Sequence, residues 1–120
     1  MAWRYEQATG RMFDPRGELL ATGYSGHGAG INNPAMEAVA NRGPIPRGRW
    51  LIGPAYAHAT LGPVTMRLLP HGHAAQGRAL FRIHGDNARG DRSASEGCII
   101  LPRWARAAID ASADDELEVA

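Results

Sequence analysis

At 120 residues, 44% hydrophobic and 21% charged, the chain suits one globular domain with a small core and leaves little room for a second. A formal net charge of +1 excludes a strong field for nucleic acid or an anionic membrane surface. A single cysteine, Cys98, excludes an internal disulfide.

All basic residues are Arg and none is Lys. That is first a bias of base composition, although Arg also holds carboxylates in bidentate fashion and some can serve a site. Met1 to Gln7 lack the apolar stretch of a secretory signal. No apolar run approaches the length of a membrane span. The expectation is a soluble product made in the cytoplasm, which something other than its own N-terminus must carry if it works elsewhere.

The 15 Gly and 8 Pro residues punctuate short apolar runs, so strands and loops are expected over long helices. Residues 2–7 and 11–13 read as strands. Asp14-Pro15-Arg16-Gly17 reads as a turn and 18–24 as the returning strand, which makes residues 1–24 a β-meander. The Gly-rich run from Ser25 to Asn33 precedes a short helix over 34–41, with Pro34 at its first position. Gly43-Pro44-Ile45-Pro46-Arg47-Gly48 is a rigid connector. Strands are expected over 49–56, 64–69 and 79–84; the last puts Phe81 and Ile83 on one face and Leu80, Arg82 and His84 on the other. After a polar loop and the apolar run Cys98 to Leu101, residues 102–112 form a helix with a stripe of Trp104, Ala105, Ala108 and Ile109. Leu117 to Val119 is a last strand. Trp50 and Trp104 are expected in the core. The fold class is mainly β, one domain over 1–120, with two short helices.

The chemistry concentrates in Phe81-Arg82-Ile83-His84-Gly85-Asp86 and Ser95-Glu96-Gly97-Cys98-Ile99. His84 ends a strand, so a rigid element aims its ring. Cys98 follows a glycine, where the backbone can turn sharply and leave amides free. Fourteen positions separate the two, enough for a loop to fold thiol against imidazole. A free thiol has a pKa near ~8.5, and an imidazole that takes its proton makes a nucleophile for carbonyl carbon. The amides of Gly97 and Cys98 are candidates to hold the oxyanion. The Gly85 carbonyl and the Asp86 side chain are both candidates to fix the His84 ring. Ser95 either orients the thiol or bonds its own backbone.

His84-Gly85 followed by Ser95-Glu96-Gly97-Cys98-Ile99 resembles the catalytic motif of the L,D-transpeptidase (YkuD-type) family. Tyr24-Ser25-Gly26-His27-Gly28, Asn32-Asn33-Pro34 and the Gly-Pro-Ile-Pro connector are similar to one branch of it, the related effectors delivered by type VI secretion. The resemblance runs from about residue 20 to the end. It implies an L,D-transpeptidase-like β-sandwich whose catalytic segment is 79–120. It implies peptidoglycan tetrapeptide stems as substrate, cut between the position-three diamino acid and D-alanine through a Cys98 thioester, with His84 as base. Gly85, Ser95 and Gly97 complete the catalytic set, and Tyr24, His27, Asp86, Arg92 and Glu96 are the substrate-binding candidates. A secretion apparatus and a neutralising immunity protein are the implied partners, and the periplasm is the implied place of action. Glu96 stands where many members carry His, and Ile100 where many carry Arg; Arg92, Arg82 and Arg103 are candidates to hold a carboxylate instead.

The reading calls for no cofactor and no metal. His71-Gly72-His73 is a possible zinc pair, but no His-x-x-x-His or Cys-x-x-Cys spacing accompanies it. A papain-like peptidase is a second reading, disfavoured because Cys there precedes His. A wall-binding or phage structural module with a buried Cys98 is a third.

Overall fold

The computed structural model describes residues 1–120 and is mainly β. Ten strands occur in chain order: β1 (Ala2–Tyr5), β2 (Arg11–Phe13), β3 (Leu19–Thr22), β4 (Tyr24–Ser25), β5 (Gly48–Ile52), β6 (Tyr56–His58), β7 (Gly62–His71), β8 (Arg82–His84), β9 (Ile99–Ile100) and β10 (Glu116–Val119). One helix, α1 (Arg103–Ala111), lies between β9 and β10. No helix is long and apolar enough to cross a membrane.

The strands form one hydrogen-bonded path, β3-β2-β1-β10-β5-β7-β8-β9-β4, with β6 paired to β7 off that path. β1 runs parallel to β10, with Trp3 opposite Leu117. The long β7 joins two leaves. It pairs antiparallel with β5 through Leu51 and Leu69, and with β8 through Met66 and Ile83. Alternation along these strands turns Trp50, Met66, Leu68, Ile83, Ile99 and Leu117 into one continuous core.

The β8 and β9 strands are parallel, with Ile83 opposite Ile99 and His84 opposite Ile100. Parallel neighbours need a crossover of roughly a dozen residues or more. Residues 85–98 are that crossover, which explains the spacing between His84 and Cys98 as a requirement of the sheet.

Three expectations change. Residues 34–41 form no helix: Pro34–Met36 is a 3-10 turn, and the bonds that follow span three residues, as from Val39 N to Met36 O. Asn33 caps Ala35, and Glu37 is drawn off toward Arg47 and Gln7. The strand expected over 79–84 begins only at Arg82, because Leu80 adopts φ +66. On α1 the buried residues are Ala105, Arg106 and Ile109, while Trp104 is 59% exposed. Arg106 turns inward to donate to the carbonyls of Leu101, Pro63 and Val64, and this rotates the stripe away from Trp104. Trp50 is fully buried as expected.

Candidate active site

The register of β8 and β9 sets the site. Carried back one residue from Ile83 and Ile99, it puts Cys98 opposite Arg82. Side chains alternate, so Arg82, His84 and Cys98 share one face of the pair while Ile83 and Ile99 enter the core. Cys98 and His84 both line an open cleft of about 320 Å³, together with Leu80, Phe81, Arg82 and Glu96. The thiol is half-buried and is not sealed inside.

Of the two local groups able to orient His84, the backbone one does so. His84 Nδ1 lies 2.8 Å from the Gly85 carbonyl oxygen. A carbonyl only accepts, so Nδ1 carries the hydrogen and Nε2 is the basic nitrogen. Gly85 itself permits this packing, since a Cβ there would stand 2.7 Å from the Arg106 guanidinium. Burial pushes the His84 pKa down, with the Gly85 bond opposing and the charges of Arg106, Arg82 and His58 assisting. The net effect favours the neutral ring, the form a base needs.

Burial pushes the Cys98 thiol up. The Arg82 amide and the charges of Arg82 and Arg78 oppose that rise, and Glu96 adds to it. The sulfur lies 3.7 Å from the Leu80 carbonyl, which accepts the S–H.

Three side chains hold three consecutive carbonyls of the cysteine loop. Arg78 donates to Glu96 O (3.0 Å), Ser25 to Gly97 O (2.9 Å) and Ser95 to Cys98 O (2.6 Å). Ser95 Oγ also accepts the Gly26 and Gly97 amides at 3.0 and 3.1 Å. Ser95 thus positions the loop, and the Gly97 amide, expected free, is engaged. In a trans peptide N–H opposes C=O, so pinning Gly97 O on Ser25 aims the Cys98 N–H the other way. That N–H has no acceptor within the chain. Gly97 takes φ +144, and a Cβ on it would meet Arg78 at 2.5 Å and Phe81 at 3.0 Å.

The substrate-binding candidates divide. Glu96 lines the cleft. Tyr24, Asp86 and Arg92 form a cluster beside it: Tyr24 donates to Asp86 Oδ1 (2.7 Å), accepts the Ala94 amide (3.2 Å) and lies under the Arg92 guanidinium at 5.3 Å. Burial and the Asp86 bond push the Tyr24 phenol up to about 12. Asp86 is therefore committed to Tyr24 and not to His84. His27 lies outside the cleft, and its Nδ1 is buried without a partner. Arg103 is exposed on α1. In the zinc candidate pair, His73 uses both ring nitrogens on the chain, donating to Arg49 O (2.7 Å) and accepting from Ala75 N (3.1 Å). No three His, Cys, Asp or Glu side chains converge into a metal site.

Sequence reasoning missed Arg78 and Ser25. Arg78 gives four hydrogen bonds, to the carbonyls of Glu37, Gly43, Pro44 and Glu96, and lies over the Phe81 ring at 5.0 Å. Ser25 accepts the Ile45 amide at 2.8 Å while donating to Gly97 O. Together they tie the Gly-Pro-Ile-Pro connector to the cysteine loop. Among thirteen arginines no local signal marks Arg78; Ser25 sits inside the Tyr-Ser-Gly-His motif, which was a usable signal.

A mainly β protein whose thiol and oriented imidazole open on one cleft has the layout of a cysteine-nucleophile enzyme. Residues 20–114 match the Tlde1 domain, and the chain belongs to that family, the type VI secretion effectors related to L,D-transpeptidases. No curated protein matches the chain.

Proposed function

We propose that the protein is a peptidoglycan-modifying cysteine enzyme that cuts tetrapeptide stems between the position-three diamino acid and D-alanine, and acts as an antibacterial effector. The single observation that carries this reading is Cys98 and His84 on one cleft, with the His84 tautomer set so that Nε2 is the base. Membership of the Tlde1 family supports a peptidoglycan substrate.

In the first half-reaction His84 Nε2 takes the Cys98 proton and the sulfur attacks the position-three carbonyl. The Cys98 N–H, left without an internal acceptor, donates to the oxyanion. The C–N bond breaks, the amine of D-alanine leaves with the proton from His84, and a thioester remains. Water then attacks with His84 again as base, giving a tripeptide carboxylate and free thiol. The amine of a D-amino acid gives exchange by the same steps, and that of a second stem gives a 3→3 cross-link. The raised thiol pKa fits this order, in which the proton moves as substrate binds and not beforehand.

The test is to incubate the protein with purified muropeptides and separate the products. Conversion of tetrapeptides to tripeptides, lost in Cys98→Ala, supports the proposal; tetrapeptides that persist with the unaltered protein reject it. Toxicity on delivery to the periplasm, relieved by a cognate immunity protein, tests the effector part.

A further inference from the structure

The arginines around the cleft differ in what their donors do. Arg78 spends both Nη groups on four carbonyls, and Arg106 spends Nε and Nη1 on three. Arg92 lies over Tyr24 and outside the cleft wall. Arg82 gives only Nε, to the Tyr56 hydroxyl at 3.0 Å, and its two Nη groups have no acceptor. The chain's two ion pairs, Met1 amine with Asp114 and Arg47 with Glu37, do not involve it.

Position adds to this. Arg82 stands opposite Cys98 in the strand register and on the same face. It lines the cleft and also an adjoining hollow of about 390 Å³, which holds Arg67 and Arg78 and no acidic residue. A guanidinium with a free fork is fixed here through Nε, between a cleft edged by Glu96 and a hollow whose charged residues are all Arg. It suits two parallel N–H···O bonds to an oxyanion, of which a carboxylate is the one a peptide or amino acid carries.

We propose that Arg82 is the carboxylate-recognising residue of this cleft and that Tyr56, from β6, is its positioning residue. The ligand class is the α-carboxylate of an amino acid or peptide terminus. Which terminus depends on the stem-cutting reaction proposed above: the carboxylate of the departing residue, or that of a free amino acid accepting the acyl group. The Tyr56 bond leaves Nη1 and Nη2 as the pair that meets the ligand.

The test compares alkylation of Cys98 by iodoacetate, which carries a carboxylate, with alkylation by iodoacetamide, its neutral counterpart. Both report the same thiolate, so the change in thiol acidity caused by removing Arg82 cancels in the ratio of rates. Arg82→Gln lowers the iodoacetate-to-iodoacetamide ratio by ~10-fold, the scale of a charge-assisted bidentate contact. Tyr56→Phe keeps the charge but loosens the fork and lowers the ratio by ~3-fold; it carries the test if the Arg82 variant does not fold. A ratio unchanged in either folded variant overturns that residue's assigned part. With stems, Arg82→Gln raises KM by more than it lowers kcat, because the variant also removes a charge that favours the Cys98 thiolate. Insensitivity of a stem amidated at its C-terminus to the variant assigns the departing carboxylate; loss confined to exchange with free D-amino acid assigns the acceptor. A ratio that falls while the unaltered protein leaves every stem intact keeps the carboxylate site and removes the stem-cutting reading.

Discussion

Replacing Ser95 by Ala tests whether the cysteine loop is held from behind. Ser95 is fully buried, and its Oγ accepts the Gly26 and Gly97 amides and donates to the Cys98 carbonyl. Alanine orphans two donors and one acceptor in a place water does not reach. Each orphaned group costs about 1–3 kcal/mol, so the low end for three is about 3 kcal/mol. An unfolding entropy of about 2.1 cal/mol/K per residue gives this chain a slope of roughly 0.25 kcal/mol per degree. The melting midpoint should therefore fall by ~12 °C, measured by circular dichroism or calorimetry. The control is Ser93→Ala: Ser93 bonds Asp91 and Asn87 on an exposed loop, and its loss should stay within ~0.5 kcal/mol. A Ser95→Ala midpoint within ~3 °C of the parent, on the same slope, would refute the idea that this hydroxyl anchors the loop.

Gly97→Ala forces a Cβ against Arg78 and Phe81 at φ +144; it should cost ~2 kcal/mol in urea melts and slow Cys98 alkylation. Arg78→Ala removes the tie between connector and cysteine loop; faster proteolysis near residues 43–48 and weaker thiol protection by substrate should follow, and native proteolysis rates would contradict it. His84 has a folded pKa below its unfolded value, so the unfolded chain binds the extra proton and stability is lost as pH falls below about 6.5. Urea melts at pH 7 and pH 5 should differ more for the parent than for His84→Gln. Glu37, held to about 2 by Arg47 and Gln7 against its burial, loses its contribution lower, below about pH 5, so the two effects separate. Tyr24→Phe breaks the bonds to Asp86 and Ala94; it should cost ~1 kcal/mol in stability and act on KM more than on kcat.

The mainly β class was legible because Gly and Pro cut the apolar pattern into short alternating runs, and Trp50, Ile83 and Leu117 fall on the inward phase of their strands. His84 and Cys98 were singled out from their motif and from a loop long enough to fold back; the reason for that length, a crossover between the parallel strands β8 and β9, came only with the fold. What the sequence hid is the side-chain support. Arg78 and Arg106 turn their guanidinium groups onto backbone carbonyls, a use that neither periodicity nor composition marks. For the same reason Trp104 was placed in the core: an inward Arg106 shifts the buried stripe of α1. The short helix expected over 34–41 gave way to 3-10 turns because Glu37 serves Arg47, Gln7 and Gln76 across the chain, contacts no local pattern encodes. The choice between Gly85 and Asp86 as orienting group needed the fold, since Asp86 is claimed by Tyr24 from 62 positions away.

The proposed reaction requires the sulfur of Cys98 to become bonded to the acyl carbon of a cell-wall peptide. Intact-protein mass spectrometry after brief mixing with tetrapeptide and an acid quench measures this directly. The expected result is an adduct equal to the stem less D-alanine, mapped to Cys98 and discharged by hydroxylamine. An unmodified protein mass, while the same sample releases D-alanine, would contradict it.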